Sequence, residues 1–297
     1  MSFELPAVLR KLLLDQYGED VAARIFDGLY AHRPATLRVN ALRSTREAVT
    51  SALSDAGISF YEVPWYSDAL IIDGAREPQI RELDIYQSGS VYLQSLSSMI
   101  PPLVLDPRAG ESILDMAAAP GGKTTQMAAL TMGAATITAC EKNKVRAERL
   151  KYNLSRQGAG GVSVLVTDSR RLDDMFSFDK ILLDAPCSGS GTVSPEKCEF
   201  TEDLYQRSQR FQEELLKKAL RLLKSGHRMV YSTCSILAGE NEDILKKVLP
   251  RAGAHVVPIP DDAFGGAPRL PVKIEGTLCI CPSELYEGFF VALIEKN

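Results

Sequence analysis

Ser112-Ile113-Leu114-Asp115-Met116-Ala117-Ala118-Ala119-Pro120-Gly121-Gly122-Lys123-Thr124 is the stretch on which the fold turns. Ile113 and Leu114 read as a buried strand, the small residues Ala117 to Gly122 as a tight turn, and the chain from there to about Leu130 as a helix. Small side chains let backbone N–H groups approach a ligand closely, with a helix N-terminus behind them. Gly121-Gly122-Lys123-Thr124 resembles a phosphate loop only superficially. That pattern needs a glycine five residues before the Gly-Lys pair, where this chain has Ala117. A nucleoside-cofactor turn is the better reading, and a nucleoside triphosphatase is disfavoured.

Outward from this turn, strand and helix signals alternate to the end of the chain. Strands are expected at residues 136–140, 162–166, 180–183, 228–232, 277–280 and 289–294, with helices near 207–223 and 241–249. A further helix carries Arg146, Arg149 and Asn153 and closes at Gly158. This alternation predicts an α/β fold, a mostly parallel sheet with helices on both faces. Acids follow two of the strands. Glu141 is placed to take both ribose hydroxyls of a nucleoside, and Asp168 to accept from an adenine amino group, although acids at strand ends also serve as helix caps.

The first hundred residues differ. A helical start at 6–30 precedes strands near 36–40, 59–63 and 69–72, with a helix at 45–56 between the first two. This predicts a small α+β domain over residues 1–86 and a sheet domain over 87–297, joined through residues 86–105.

Apolar residues make up 45% of the 297 and charged residues 24%, which suits a globular protein with a sound core. No run approaches the length of a membrane span, and Met1-Ser2-Phe3-Glu4-Leu5-Pro6 lacks a signal-peptide layout, so a cytoplasmic protein is expected. The six cysteines have no C-x-x-C spacing, which argues against a zinc site or a disulfide framework. The net charge of −4 counts mildly against a nucleic-acid binder. Even residues 1–95 hold nine Lys+Arg against thirteen Asp+Glu, so any such surface must be a local patch.

Two cysteines stand apart. Cys187, in Asp184-Ala185-Pro186-Cys187-Ser188-Gly189, and Cys234, in Tyr231-Ser232-Thr233-Cys234-Ser235, each follow an apolar strand, at the sheet end where open α/β folds bind ligands. A buried thiol is usually an inert small hydrophobe, the reading taken for Cys140, Cys279 and Cys281; Cys198 sits in a polar loop. Two thiols beside a cofactor turn point instead to covalent chemistry.

These motifs, with Thr36-Leu37-Arg38-Val39-Asn40, Gln209, Glu240-Asn241-Glu242 and Gly288-Phe289-Phe290-Val291-Ala292, closely resemble the Sun/Nop (RsmB/RsmF-like) family of RNA cytosine-C5 methyltransferases from about residue 34 onward. The resemblance implies a Rossmann-like class I S-adenosylmethionine-dependent domain behind a small N-terminal RNA-recognition-like domain. It implies Cys234 as the nucleophile at cytosine carbon 6, Cys187 as the group that releases the adduct, and Asp184 at the base edge. For Lys123 two readings stand, contact with the base or a solvated helix residue. Cofactor contacts fall on Ala117, Ala118, Ala119, Pro120, Gly121, Gly122, Lys123, Glu141, Arg146, Asp168 and Asp184. No metal is implied. The partner is rRNA or tRNA, which Arg33, Arg38, Asn40 and Arg43 would grip unless they form an ordinary surface, and a monomer is expected. Attack by Cys187 instead would leave the Thr-Cys site unexplained. A non-catalytic RNA-binding assembly factor is the rival reading, and a small-molecule methyltransferase a third.

Overall fold

The computed structural model describes residues 4–193 and 200–297; Cys198 lies outside them. In chain order the elements are α1 (Ala7–Tyr30), β1 (Thr36–Val39), α2 (Arg46–Asp55), β2 (Ser59–Glu62), β3 (Ala69–Asp73), α3 (Glu77–Glu82), α4 (Asp84–Gln87), β4 (Val91–Leu93) and α5 (Leu96–Leu105). They continue with β5 (Ser112–Asp115), α6 (Gly122–Leu130), β6 (Thr136–Cys140), α7 (Lys144–Arg156), β7 (Ser163–Leu165), β8 (Phe178–Asp184), α8 (Glu202–Leu222) and β9 (Leu223–Thr233). The chain closes with α9 (Glu242–Ala252), β10 (Ala254–Val257), β11 (Leu278–Ile280) and β12 (Phe289–Lys296).

The large sheet runs β10-β12-β9-β8-β5-β6-β7, with β11 paired to β12. The five strands β5 to β9 are mutually parallel, and β12 enters antiparallel beside β9. The order reverses between β5 and β8, because the chain builds outward through β6 and β7 before returning to β5's other side. Such a reversal opens a crevice at the carboxyl ends of the strands. It lies between Asp115, which ends β5, and Asp184, which ends β8. Ile181, Leu182 and Leu183 of β8 are fully buried. A parallel strand covered on both faces needs such a continuous apolar run, and each side chain contributes about 1.5–3 kcal/mol.

The small sheet is antiparallel, in the order β2-β3-β1-β4. Its fourth strand lies beyond residue 86, so the expected boundary falls ahead of the sheet's end. The helical start also departs from its expected place. Leu9, Leu13, Ile25 and Leu29 of α1 pack into the core of the large sheet, with Ile181, Leu183 and Phe290. Among the described residues no helix is long and apolar enough to cross a membrane.

Candidate active site

The turn after β5 is held from below. Buried Asp115 accepts from Thr124 Oγ1 at 2.7 Å and from the Ala117 amide at 3.4 Å, tying strand end to helix start. Burial pushes its carboxyl up to about 6, and nearby Asp184 adds to the shift. Gly121 precedes α6 at φ 111°, where a side chain is strained, and a Cβ there would meet Leu150 Cδ1 at 3.0 Å. Ala118 and Ala119 are buried, and the Ala119–Pro120 peptide is cis. At Gly121 a small residue is thus favoured by both backbone and neighbours.

Glu141, after β6, accepts from the Asn143 amide at 2.8 Å and lies 3.3 Å from Arg146 Nη1. Arg146 Nη2 donates in turn to the Ala119 carbonyl at 2.7 Å. Glu141, Arg146 and Asp168 share a narrow slot with Ala117 and Phe211. Asp168 already has a partner within the protein. Arg170 donates to it from Nε at 3.0 Å and Nη2 at 2.6 Å, holding its carboxyl below the ordinary range, and stacks 4.2 Å over the Phe211 ring. With the Arg170 amide donating to Oδ1 at 3.1 Å as well, both carboxylate oxygens are engaged by Arg170.

The two thiols meet. Cys187 Sγ and Cys234 Sγ lie 3.0 Å apart, at the ends of adjacent strands β8 and β9. Glu240 holds the Cys187 turn, accepting from the Ser188 amide at 2.7 Å and from Ser188 Oγ at 2.6 Å. The Gly191 amide donates to the Cys234 carbonyl at 2.9 Å, closing one loop on the other. The hydrogen bond to Cys234, then burial, then the charge of Glu240 push the Cys187 thiol well up. Cys187 therefore stays protonated at neutral pH and can donate its S–H to the Cys234 sulfur.

Asp184 joins the cofactor turn to this pair. It accepts from Lys123 Nζ at 2.7 Å and from Ser232 Oγ at 2.8 Å, and Lys123 donates also to Ser98 Oγ at 2.8 Å. Lys123 lies 5.2 Å over the Phe289 ring. Its side chain is 13% exposed, which rules out the solvated-helix reading. Asp115, Ala117, Ala118, Ala119, Pro120, Gly122, Lys123, Asp184 and Cys234 line one cleft of about 730 Å³, which continues to Arg33 and Arg76 of the N-terminal part. Cys187 reaches this cleft through Cys234.

Of the four residues expected to grip RNA, two point inward. Arg38 is fully buried and donates to Gln94 Oε1 at 3.1 Å and Thr125 Oγ1 at 3.0 Å. Asn40 is buried and donates to the carbonyls of Gly89 and Gln157, each at 2.8 Å. Strand β1 is covered on both faces, so neither side chain is available to a ligand. Arg43 is exposed and caps the Ser155 carbonyl at 3.2 Å, while Arg33 is part of the cleft wall. Cys140 and Cys279 are buried, with thiols pushed up mainly by burial, which suits inert packing. Sequence reasoning gave no role to Asp115, Ser98, Ser232 or Glu240. Glu240 had a signal in its triplet with Asn241 and Glu242; Ser98 had none.

Fold and site together have the architecture of the class I methyltransferase fold with an attached ferredoxin-like unit. Residues 102–295 match the family described as 16S rRNA methyltransferase RsmB/F, and residues 5–78 match the ferredoxin-like domain of RsmF/B-like methyltransferases. The chain belongs to this family. It is 37% identical over 272 residues to the ribosomal RNA small subunit methyltransferase F of Shewanella amazonensis, covering 88% of this chain and 58% of that protein. It is 35% identical over 281 residues to the 28S rRNA (cytosine(4447)-C(5))-methyltransferase of Homo sapiens, covering 89% of this chain and 34% of that one. The chain thus spans less than two thirds of the length of these relatives. A solved methyltransferase homologue from Pyrococcus horikoshii superposes with a TM-score of 0.83 at 33% identity, covering 99% of this chain and all of that one.

Proposed function

We propose that this chain is an S-adenosylmethionine-dependent methyltransferase acting on carbon 5 of cytosine in RNA, with ribosomal RNA as its substrate class. The observation that carries the reading is the pair of thiols 3.0 Å apart, of which Cys234 lines a cleft shared with Asp184 and Lys123. The rRNA assignment is supported by the relatives' names.

The residues fit the cofactor. The turn is tight at Gly122, where a Cβ would come 3.2 Å from the Tyr92 ring, and the N-terminus of α6 favours a carboxylate. Glu141, with Arg146 against it, and Asp168 flank the slot where a nucleoside would lie. When bound, S-adenosylmethionine supplies an electrophilic methyl group.

Carbon 5 of cytosine is a weak nucleophile until a thiolate adds to carbon 6. Cys234, which lines the cleft, is that thiolate, and the protonated Cys187 stabilises it by donating a hydrogen bond. Asp184 accepts from the cytosine edge, with Lys123 and Ser232 fixing its position. Once the methyl group is on carbon 5, Cys187 must first pass its own proton to solvent; as a thiolate it then takes the carbon-5 proton, and the electron pair left behind expels Cys234 from carbon 6. The target base enters unpaired or flipped out.

Methyl transfer from labelled S-adenosylmethionine to ribosomal subunits tests this. Cys234→Ala should abolish incorporation, whereas Cys187→Ala should accumulate a covalent protein–RNA adduct. Absence of both transfer and adduct on 5-fluorocytidine RNA, with cofactor still bound, would favour the assembly-factor reading.

A further inference from the structure

We propose that Arg33 and Arg76 form a phosphate-binding site at the outer end of the cleft, gripping the RNA backbone next to the target cytidine; this rests on the RNA reading above. Both arginines line the cleft that holds Cys234. Strand register brings them to one rim. Thr36 faces Ile71 in the antiparallel β1–β3 pair, and the Ile72 amide donates to the Ala35 carbonyl at 2.9 Å. The chain entering β1 and the chain leaving β3 therefore sit at the same end of the small sheet.

The charges at this rim are compensated only at a distance, Glu287 acting on Arg33 without touching it. Arg33 is half-buried, with Nε donating to the Tyr286 carbonyl at 2.9 Å and Nη2 to the Gly28 carbonyl at 2.7 Å. Those bonds fix the guanidinium plane and use two of its five N–H donors. Among the described residues no carboxylate forms an ion pair with Arg33 or Arg76. The two acids of this rim have their direct partners elsewhere, though Glu287 keeps its charge and acts on Arg33 from a distance. Glu77 pairs with Arg81 at 2.8 Å along its own helix, and Glu287 accepts from Ser95 Oγ at 2.7 Å. Burial makes the charge of Arg33 costly, and Glu287 offsets that only in part, so an anion entering the cleft recovers some of the cost; Arg76 is exposed and adds its charge without that cost. A planar guanidinium with fixed orientation and free N–H groups suits a phosphate.

Two anions can reach this cleft, an RNA phosphate and the carboxylate of the cofactor, and the position at the small-domain rim favours the phosphate. The test is the salt dependence of binding to a single-stranded oligocytidylate, for the wild type, Arg33→Gln, Arg76→Gln and the double variant. Arg228→Gln, midway along β9, outside the cleft lining and paired with Glu295, is the control. Each single change should reduce the slope of log affinity against log salt by about 0.7, the double by about twice that, and the control by nothing. S-adenosylhomocysteine affinity should be unchanged throughout. Arg76 is exposed and forms no ion pair among the described residues, so Arg76→Gln keeps the test valid should Arg33→Gln fail to fold. A wild-type slope retained in the variants, or a loss of S-adenosylhomocysteine affinity in its place, would overturn the site alone. A wild type that binds cofactor but no oligocytidylate at any salt would overturn the RNA reading and this site with it.

Discussion

At the scale of single residues, the chemistry depends on which charges are buried and what holds them. Asp115 is the clearest case. Its carboxyl is held at about 6 against an ordinary 3.8, chiefly by burial. A raised carboxyl means that the folded state binds the proton more tightly than the unfolded chain. Its contribution to stability is thus fully present below about pH 4 and is lost as pH rises through 6, by roughly 2–3 kcal/mol. Asp115→Asn keeps an oxygen for the Ala117 amide but cannot titrate. The stability of the wild type relative to this variant should therefore fall between pH 4 and 6.5, with every other carboxyl cancelling. Urea midpoints measured across that range would check it, and parallel profiles for the two proteins would sink it. The thiols, Asp184 and the glycines were legible in the sequence because their residue types are unusual at strand ends. Ser98 and Ser232 were not, because a serine hydroxyl acquires meaning only from the partner that folding brings to it.

At the scale of elements, the parallel strands were legible as apolar runs ending in Asp115, Glu141 and Asp184. Several elements were not, α3, α4 and β10 among them, and β4 and α5 show two different reasons. β4 has only three residues, too few for alternation to register, and needs β1 to complete its hydrogen bonds. α5 contains Pro101 and Pro102, which normally break a helix. It persists because Leu96, Met99, Ile100 and Leu105 are buried, with Ser95 capping its start and Gln126 Nε2 donating to the Met99 carbonyl at 2.8 Å. That packing puts Ser98 beside Lys123. The loops after β8 and β9 depend on one another in the same way, through Glu240. Removing this carboxylate in Glu240→Ala leaves the Ser188 amide and hydroxyl without their acceptor, at about 2–4 kcal/mol. Glu240→Gln should restore much of it, because the hydroxyl of Ser188 can rotate to accept from the new amide. Loosening the Cys187 turn should slow adduct release more than adduct formation. Glu240→Ala is thus expected to accumulate the covalent RNA complex, and Glu240→Gln much less of it. Equal loss of both steps in single-turnover measurements would contradict this.

At the scale of the whole molecule, the Thr36-to-Asn40 strand is a joint between the small sheet and the catalytic domain. Read in sequence, its Arg and Asn suggested a surface for RNA, because polar residues on a short strand normally face water. Here both are buried, since the catalytic domain covers the face that α2 leaves open. Arg38 reaches Thr125 on α6, and Asn40 reaches the end of α7. The protein carries its own reporter of this joint. Trp65, the single tryptophan, lies between β2 and β3 and donates from Nε1 to Tyr286 Oη at 3.0 Å, with its ring edge-on to Phe264 at 5.4 Å. Both partners come from the catalytic part of the chain. In the wild type, urea unfolding followed by Trp65 fluorescence and by far-ultraviolet circular dichroism should give one superimposable transition, because the joint couples the two units. Asn40→Ala deprives the buried Gly89 and Gln157 carbonyls of their shared donor, at about 1–3 kcal/mol. The fluorescence transition should then move to lower urea than the dichroism transition, as the small domain detaches before the large sheet melts. Transitions that stay coincident in Asn40→Ala would mean that the apolar contacts around Trp65 hold the units together without this strand.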